Sequence, residues 1–428
     1  MLKYIWMVIQ DLFAAVTLST LMHAVLCVRL GKKGTHIHWI GIAAGVISSI
    51  ALSVVKNTTN KIVSSRWNHK IYLAIILFTI GFLLLSFLSR QKKQDDGVLP
   101  LLTSVFGACL SAVWLFYSLP GAIAYPFTFN TMGNGYWSWY FFQRLIGYLL
   151  AFFLMLLYAR LLCECAVRLR NKSLLFTELP VIAVLNAFYC LCRFFVPWVN
   201  RAKWLDWPAA YDKEKHAWAG ALVKFSTQYS MLFIYVTAVL VVILMLVFFT
   251  ENTHIADPYD NPAQKRKIKA RNRSCRRKAV GLLLCLGLSM LSVTVVKAYD
   301  TREVALSEPE VYTVADGKIL VPMESVSDGH LHRFEYRTDN DVNVRWIVVK
   351  KPGSASFGVG LDACEVCGNA GYYENNGRVI CKRCDVVMNI NTIGFKGGCN
   401  PIPLAYEVQD GNLVFAVEDL KAGEREFK

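Results

Sequence analysis

Eight long apolar stretches decide what this chain can become. They lie near residues 4–28, 37–55, 71–89, 99–125, 136–163, 179–199, 219–250 and 279–298. Each is long enough for an α-helix to cross a hydrocarbon core of about 30 Å, which takes roughly 17 to 25 residues. Lipid offers the backbone no hydrogen bonds, so segments of this kind satisfy their amides internally and fold as helices. The composition, 55% hydrophobic against 18% charged, fits that reading better than a single water-soluble core. The expected architecture is a polytopic α-helical membrane protein of about eight transmembrane helices over residues 1–300. A small β-rich, metal-binding C-terminal domain over residues 301–428 follows.

Charge placement gives the orientation. Residues 1–300 hold 32 basic and 12 acidic side chains, residues 301–428 hold 14 and 19, and the basic groups sit between apolar blocks. That distribution argues for membrane topology and against nucleic acid as a partner. Short loops rich in lysine and arginine stay in the cytoplasm. The run KRKIKARNRSCRRK at 265–278 carries nine basic residues and no acid, so the loop before the last span is expected inside. Arg29, Lys32 and Lys33, then Arg90, Lys92 and Lys93, then Arg168, Arg170 and Lys172 fall on the same side. Eight spans then place both termini, and the whole C-terminal domain, on the extracytoplasmic side. Lys56, Lys61, Arg66 and Lys70 fall outside and run against the rule. The first stretch contains Gln10 and Asp11 and lacks a clear small-residue cleavage site, so it is read as a helix and not as a removed signal peptide.

Ionisable residues within spans are costly unless they face a partner or a cavity. Asp11, His23, Arg144, Glu164, Arg193 and Lys224 are the candidates, either as structural pairs, such as Asp11 with an arginine, or as an ion or electron path. His23, His36 and His38 lie towards one side, but haem ligation in the manner of a quinol cytochrome needs more histidines within the spans. Cys163 with Cys165 and Cys190 with Cys192 sit at i, i+2, on opposite sides of a helix, so neither pair chelates one ion without a break.

The tail reads differently. Charge alternates, β-branched residues appear, and turn pairs recur at Asp316-Gly317, Asp328-Gly329, Asn376-Gly377 and Asp410-Gly411; 342–350 and 412–417 read as strands. Its chemistry is concentrated in Cys364-Glu-Val-Cys367-Gly, then Cys381-Lys-Arg-Cys384 after thirteen intervening residues, then Cys399. Each C-x2-C turn aims two thiolates at one point, and two such turns supply tetrahedral sulfur coordination suited to zinc or iron. Gly368 permits the tight turn. The fifth cysteine replaces one ligand, completes a cluster or stays free. Disulfides are the competing reading in an oxidising compartment, although five is an odd number. His330 and His332 are further candidate ligands. No C-x-x-C-H occurs, which leaves covalent haem without support.

The runs DGHLHRFEYR at 328–337, VRWIVVKK at 344–351, LDACEVCGNAGYY at 361–373 and VICKRCDVVMNINTIGFKGGCNPIPL at 379–404, with the DGNLVF that follows, resemble the C-terminal domain of FtrD-like membrane iron-sulfur proteins. The resemblance implies a bacterial inner-membrane protein of a ferrous-iron uptake system. It implies partners there: an iron permease, a periplasmic iron-binding protein and a cupredoxin-like protein. It carries the family's cysteine positions onto Cys364, Cys367, Cys381, Cys384 and Cys399, with an iron or iron-sulfur centre expected and zinc as the alternative. The spans lack the Arg-Glu-x-x-Glu pattern of the permeases, so the chain is expected to be a metal-binding or redox subunit and not the pore. Two other readings stay open, a structural zinc knuckle on a transporter or its scaffold and a transmembrane thiol oxidoreductase.

Overall fold

The computed structural model describes residues 2–428 except 60, 61, 63, 92–96, 130–137, 201, 203, 204, 206–210, 213, 256, 303, 304, 376, 384, 385 and 398. The chain divides into two units, one formed by residues up to Phe129 together with Trp139–Thr301, the other containing Arg302–Lys428.

The first unit is helical: α1 (Leu2–Thr58), α2 (Ser64–Gln91), α3 (Val98–Ala124), α4 (Trp139–Arg168), α5 (Lys172–Phe194), the short α6 (Val196–Val199), α7 (Ala217–Gln228), α8 (Ser230–Glu251), α9 (Pro262–Leu291) and, after a π turn at Ser292–Val296, α10 (Lys297–Asp300). Among the described residues seven helices are long and apolar enough to cross a membrane, and this is a membrane protein. The first of the seven carries two of the eight apolar stretches. It is not one rod, because Gly31 adopts φ 55° and ψ −132°, a conformation open to a residue without Cβ. The chain folds back there, since His23 and His38 stand 3.2 Å apart between Nδ1 atoms, whereas fifteen residues of straight helix would separate them by about 22 Å.

The returning arm of α1 packs closely on α3. Gly41, Gly45 and Ser49 recur every fourth residue on one buried face. A Cβ added at Gly41 would lie 2.6 Å from the Ala108 carbonyl oxygen, and one at Gly45 would lie 2.8 Å from that of Ala112. Ser49 donates to the Leu115 carbonyl at 3.1 Å. Small residues are the means by which helices approach in lipid, where apolar burial alone gives no drive to associate. The stretch at 219–250 is divided at Tyr229 into α7 and α8. The basic run at 265–278, expected as a loop, is helical. Asn261 accepts from the Gln264 amide at 2.8 Å and Pro262 opens the first turn, so α9 begins well before its apolar part.

The second unit is built of antiparallel strands: β1 (Thr313–Ala315), β2 (Lys318–Pro322), β3 (His332–Arg337), β4 (Asn343–Lys350), β5 (Phe357–Leu361), β6 (Tyr372–Asn375), β7 (Arg378–Cys381), β8 (Glu407–Gln409) and β9 (Asn412–Ala416), then α11 (Val417–Ala422). Among the described residues they form three sheets in the orders β1-β2-β9-β8, β3-β4-β5 and β6-β7. The expected strands at 342–350 and 412–417 are β4 and β9. Asp316-Gly317 and Asp410-Gly411 both take positive φ, the geometry of tight hairpin turns. Strand β4 is covered on both faces. Val344, Trp346 and Val348 point into a core with Phe334, Val359 and Phe415, while Ile347 and Val349 point into a second core that contains Cys364, Cys367 and Cys381. The alternation of one strand thus joins the sheet core to the thiol cluster.

Candidate metal centre

The first C-x2-C segment folds as a narrow turn. Cys364 and Gly368 exchange amide-to-carbonyl bonds of 3.1 and 2.9 Å, and Gly368 holds φ +67°. The turn aims the Cys367 amide at the Cys364 sulfur, 3.1 Å away. The hairpin β6–β7 pairs Tyr372 with Cys381 and so delivers the third thiol. The Cys381 amide donates to the Val386 carbonyl at 2.9 Å. The sulfurs of Cys364, Cys367 and Cys381 all lie within 4.8 Å of one another, and all three residues are buried. A tetrahedral thiolate site with metal–sulfur bonds of about 2.3 Å spaces its sulfurs by roughly 3.8 Å. The donor chemistry, the spacing and the amide aimed at sulfur therefore fit a metal centre.

Cys384, expected as the fourth ligand, lies outside the described residues. Cys399 is half-buried and packs against the same apolar cluster, and its carbonyl accepts the Tyr372 hydroxyl at 2.6 Å. Cys364 is a free thiol. His330 and His332 are each engaged by carboxylates. His330 Nδ1 lies 2.8 Å from Glu374, while His332 has Nδ1 at 2.9 Å from Glu310 and Nε2 at 2.8 Å from Asp328. Neither belongs to the group of three thiols.

Sequence reasoning passed over the polar frame around the thiols. Asp362, fully buried two residues before Cys364, takes Arg333 Nε at 3.0 Å and Arg345 Nε at 3.2 Å on one oxygen, and the Tyr372 amide at 2.7 Å on the other. Arg333 also donates to the Tyr372 carbonyl, so one ion pair grips both backbone groups of the residue whose ring lies against the cluster. Arg345 reaches the Asn369 carbonyl at 2.8 Å and Arg383 the Cys367 carbonyl at 3.1 Å. Burial first, then the neighbouring sulfur of Cys364, pushes the Tyr372 hydroxyl well above the ordinary phenol range; it stays protonated and donates. The available signal was an arginine at an inward position of β3, in HLHRF.

In the helical unit the expected polar residues find separate partners. Asp11 accepts from the Tyr125 hydroxyl at 2.5 Å, a phenol in place of the anticipated arginine. Arg144 donates to the Phe129 carbonyl at 2.7 Å. Glu164 pairs with Lys278 and, at 3.2 Å, with Arg160. Arg193 donates to Thr227 at 3.4 Å. Lys224 and His36 are exposed. Cys163 and Cys165 lie on α4, Cys190 and Cys192 on α5. Glu178 on α5 was missed: it is buried, and among the described residues neither carboxylate oxygen has a hydrogen-bond partner.

No curated protein and no solved structure matches this chain. Its C-terminal residues 326–427, which contain both thiol turns and the Arg333–Asp362 pair, match the family described as membrane iron-sulfur containing protein, FtrD-like.

Proposed function

We propose that this chain is a membrane-anchored subunit of a bacterial iron-uptake system that exchanges electrons or iron through a thiolate-bound centre on the extracytoplasmic face of the inner membrane. Cys364, Cys367 and Cys381 hold the centre, with Cys384 and Cys399 as the remaining ligands of the set. The observation that carries the reading is the trio of buried sulfurs within 4.8 Å; the family match over the same residues supports it. Bound iron would supply one-electron chemistry with little change of geometry. The protein's part is to hold the thiolates and tune them. The Cys367 amide stabilises negative charge on the Cys364 sulfur, the apolar walls of Ile347, Val349, Val379 and Ile393 exclude water, and the Arg333–Asp362 pair keeps Tyr372 against the cluster. An iron permease and periplasmic iron-binding or cupredoxin-like proteins are the proposed partners.

The test is metal analysis with visible absorption on full-length protein purified without oxygen. Stoichiometric iron with a band that bleaches on reduction is expected. Colourless protein with one equivalent of zinc would overturn electron carriage and favour a structural knuckle. A cytoplasmic C-terminus, read by labelling an introduced cysteine in intact cells, would overturn the sidedness.

A further inference from the structure

Helix α9 enters its apolar part through a run of cations, and the two sides of the helix treat them differently. Asn272, Cys275 and Ala279 form its buried face. Two of the cations are neutralised within the unit: Arg271 pairs with Asp257, and Lys278 with Glu164. Arg273 and Arg277 are exposed and Arg276 is half-buried. Three and four residues apart, they share a face away from the buried one, and among the described residues no carboxylate pairs with any of them. The same face continues past the last cation. From Ala279 to Val296 the chain carries no charge, and Val280, Leu284, Leu288 and Leu291 stand between 46% and 62% exposed along it. Gly287 lies exposed among them, and a Cβ added there would meet nothing within 4 Å. In chain order the face presents guanidinium groups and then leucines, with a shallow gap at Gly287.

We propose that this face binds an anionic glycerophospholipid, its phosphate held by Arg273, Arg276 and Arg277 and an acyl chain lying along Val280, Leu284 and Leu288. Position argues for it first. A rise of about 1.5 Å per residue sets the three arginines roughly 3–9 Å ahead of Ala279, and the headgroup layer outside the hydrocarbon core is about 5–8 Å thick. Lys265, Arg266 and Lys269, earlier in the run, stand about 15–21 Å out and lie beyond that layer. Chemistry argues for it next. A guanidinium is permanently charged and its fork of donors matches phosphate oxygens, so three of them without a carboxylate, at the edge of an apolar layer, call for an anion from outside the chain. The leucines select among anions. A free phosphate has no use for them, and a nucleic acid would engage the outer cations as readily as the inner ones. A zwitterionic lipid covers the leucines but brings its own ammonium to offset its phosphate. An anionic lipid answers both halves of the face at once.

Binding is measured on the delipidated full chain in a neutral detergent, by native mass spectrometry over a titration with dioleoyl phosphatidylglycerol and, separately, with dioleoyl phosphatidylcholine, which has the same tails. Phosphatidylglycerol should bind about tenfold more tightly or better; equal binding would leave the arginines without a role and overturn the proposal. Arg277→Gln should weaken phosphatidylglycerol about fivefold, the worth of one cation at an anionic surface, and Arg273→Gln, Arg276→Gln and Arg277→Gln together about thirtyfold or more. Glutamine is as good a helix former as arginine, so the helix survives the change. Lys265→Gln, Arg266→Gln and Lys269→Gln together remove the same charge further out and should weaken binding by no more than about twofold. An equal loss in the two triple variants would reduce the effect to attraction without a site. Displacement of the lipid by glycerol 3-phosphate, which lacks tails, or by a single-stranded oligonucleotide at equal concentration would assign the cations to a soluble phosphate or to nucleic acid, and either result would overturn the proposal. The Cys364→Ser protein should bind phosphatidylglycerol as the unsubstituted chain does, so this site is tested independently of the thiolate centre.

Discussion

The two units solve the problem of buried polarity in opposite ways. In the helical unit the long helices close on each other through absent side chains, with Gly41 and Gly45 set against Ala108 and Ala112, and its polar groups are scattered, some, such as Glu178, with no partner among the described residues. In the C-terminal unit a fully buried aspartate collects two arginines and a backbone amide beside three sulfurs. One region gains close packing by leaving out atoms, the other holds its shape by pairing charges. The difference follows from the surroundings. Lipid-facing helices satisfy their own backbone, whereas short strands joined by long turns need side chains to pin the loops.

The sharpest attempt to break this contrast is Asp362→Ala. It strands Arg333, which is 1% exposed, without its carboxylate and releases the Tyr372 amide. Removing one partner of a buried ion pair costs about 3–5 kcal/mol. The expected outcome is loss of the C-terminal unit's protease resistance while the helical unit remains membrane-inserted. Equal resistance to that of the unsubstituted chain would show that the pair is incidental to the fold. Metal removal ranks next. Because metal binding to thiolates is folding free energy, chelation should lower the thermal midpoint of the C-terminal unit well below that of the metal-loaded form, and Cys381→Ser should reproduce the loss without chelator. A midpoint indifferent to both would mean that the apolar cluster around the sulfurs suffices.

Gly41→Leu probes the other side of the comparison. The new side chain meets the Ala108 backbone, and overpacking of this kind costs about 1–3 kcal/mol. Helix α1 should separate from α3, seen as reduced thermal stability in detergent with the C-terminal unit untouched. Should Gly41→Leu be neutral, the close approach of these helices would not be what holds the bundle.

Much of this architecture was legible because it rests on local pattern. Apolar length marked the spans, and Asp-Gly pairs marked the turns at Asp316 and Asp410. The spacing of two C-x2-C turns marked the three thiols. What escaped was of two kinds. The small-residue face at Gly41, Gly45 and Ser49 and the cap at Asn261 are written locally, but hydropathy and charge overshadow them, and the charged start of α9 reads as a loop. Arg333 with Asp362 is invisible in principle to local reading, because the two are 29 residues apart. Charge in a strand marks buried pairing only when the partner strand is known.

The smallest effect concerns the carboxylates that hold His332. Burial works against its charged form, but the hydrogen bonds it donates to Asp328 and Glu310 outweigh burial, and the net effect raises its pKa above the usual 6.5. Bonded to the same imidazole, Asp328 is lowered from its usual 3.8. A raised histidine contributes its full stability below pH 6.5 and loses it as pH climbs through the higher folded value; a lowered aspartate contributes above 3.8 and loses it as pH falls through the lower one. The pair therefore supports the C-terminal unit on a plateau between those limits. His332→Gln should lower the thermal midpoint at pH 6 and by progressively less towards pH 9. A His332→Gln penalty that stays constant over that range would assign the residue a packing role in place of an ionic one.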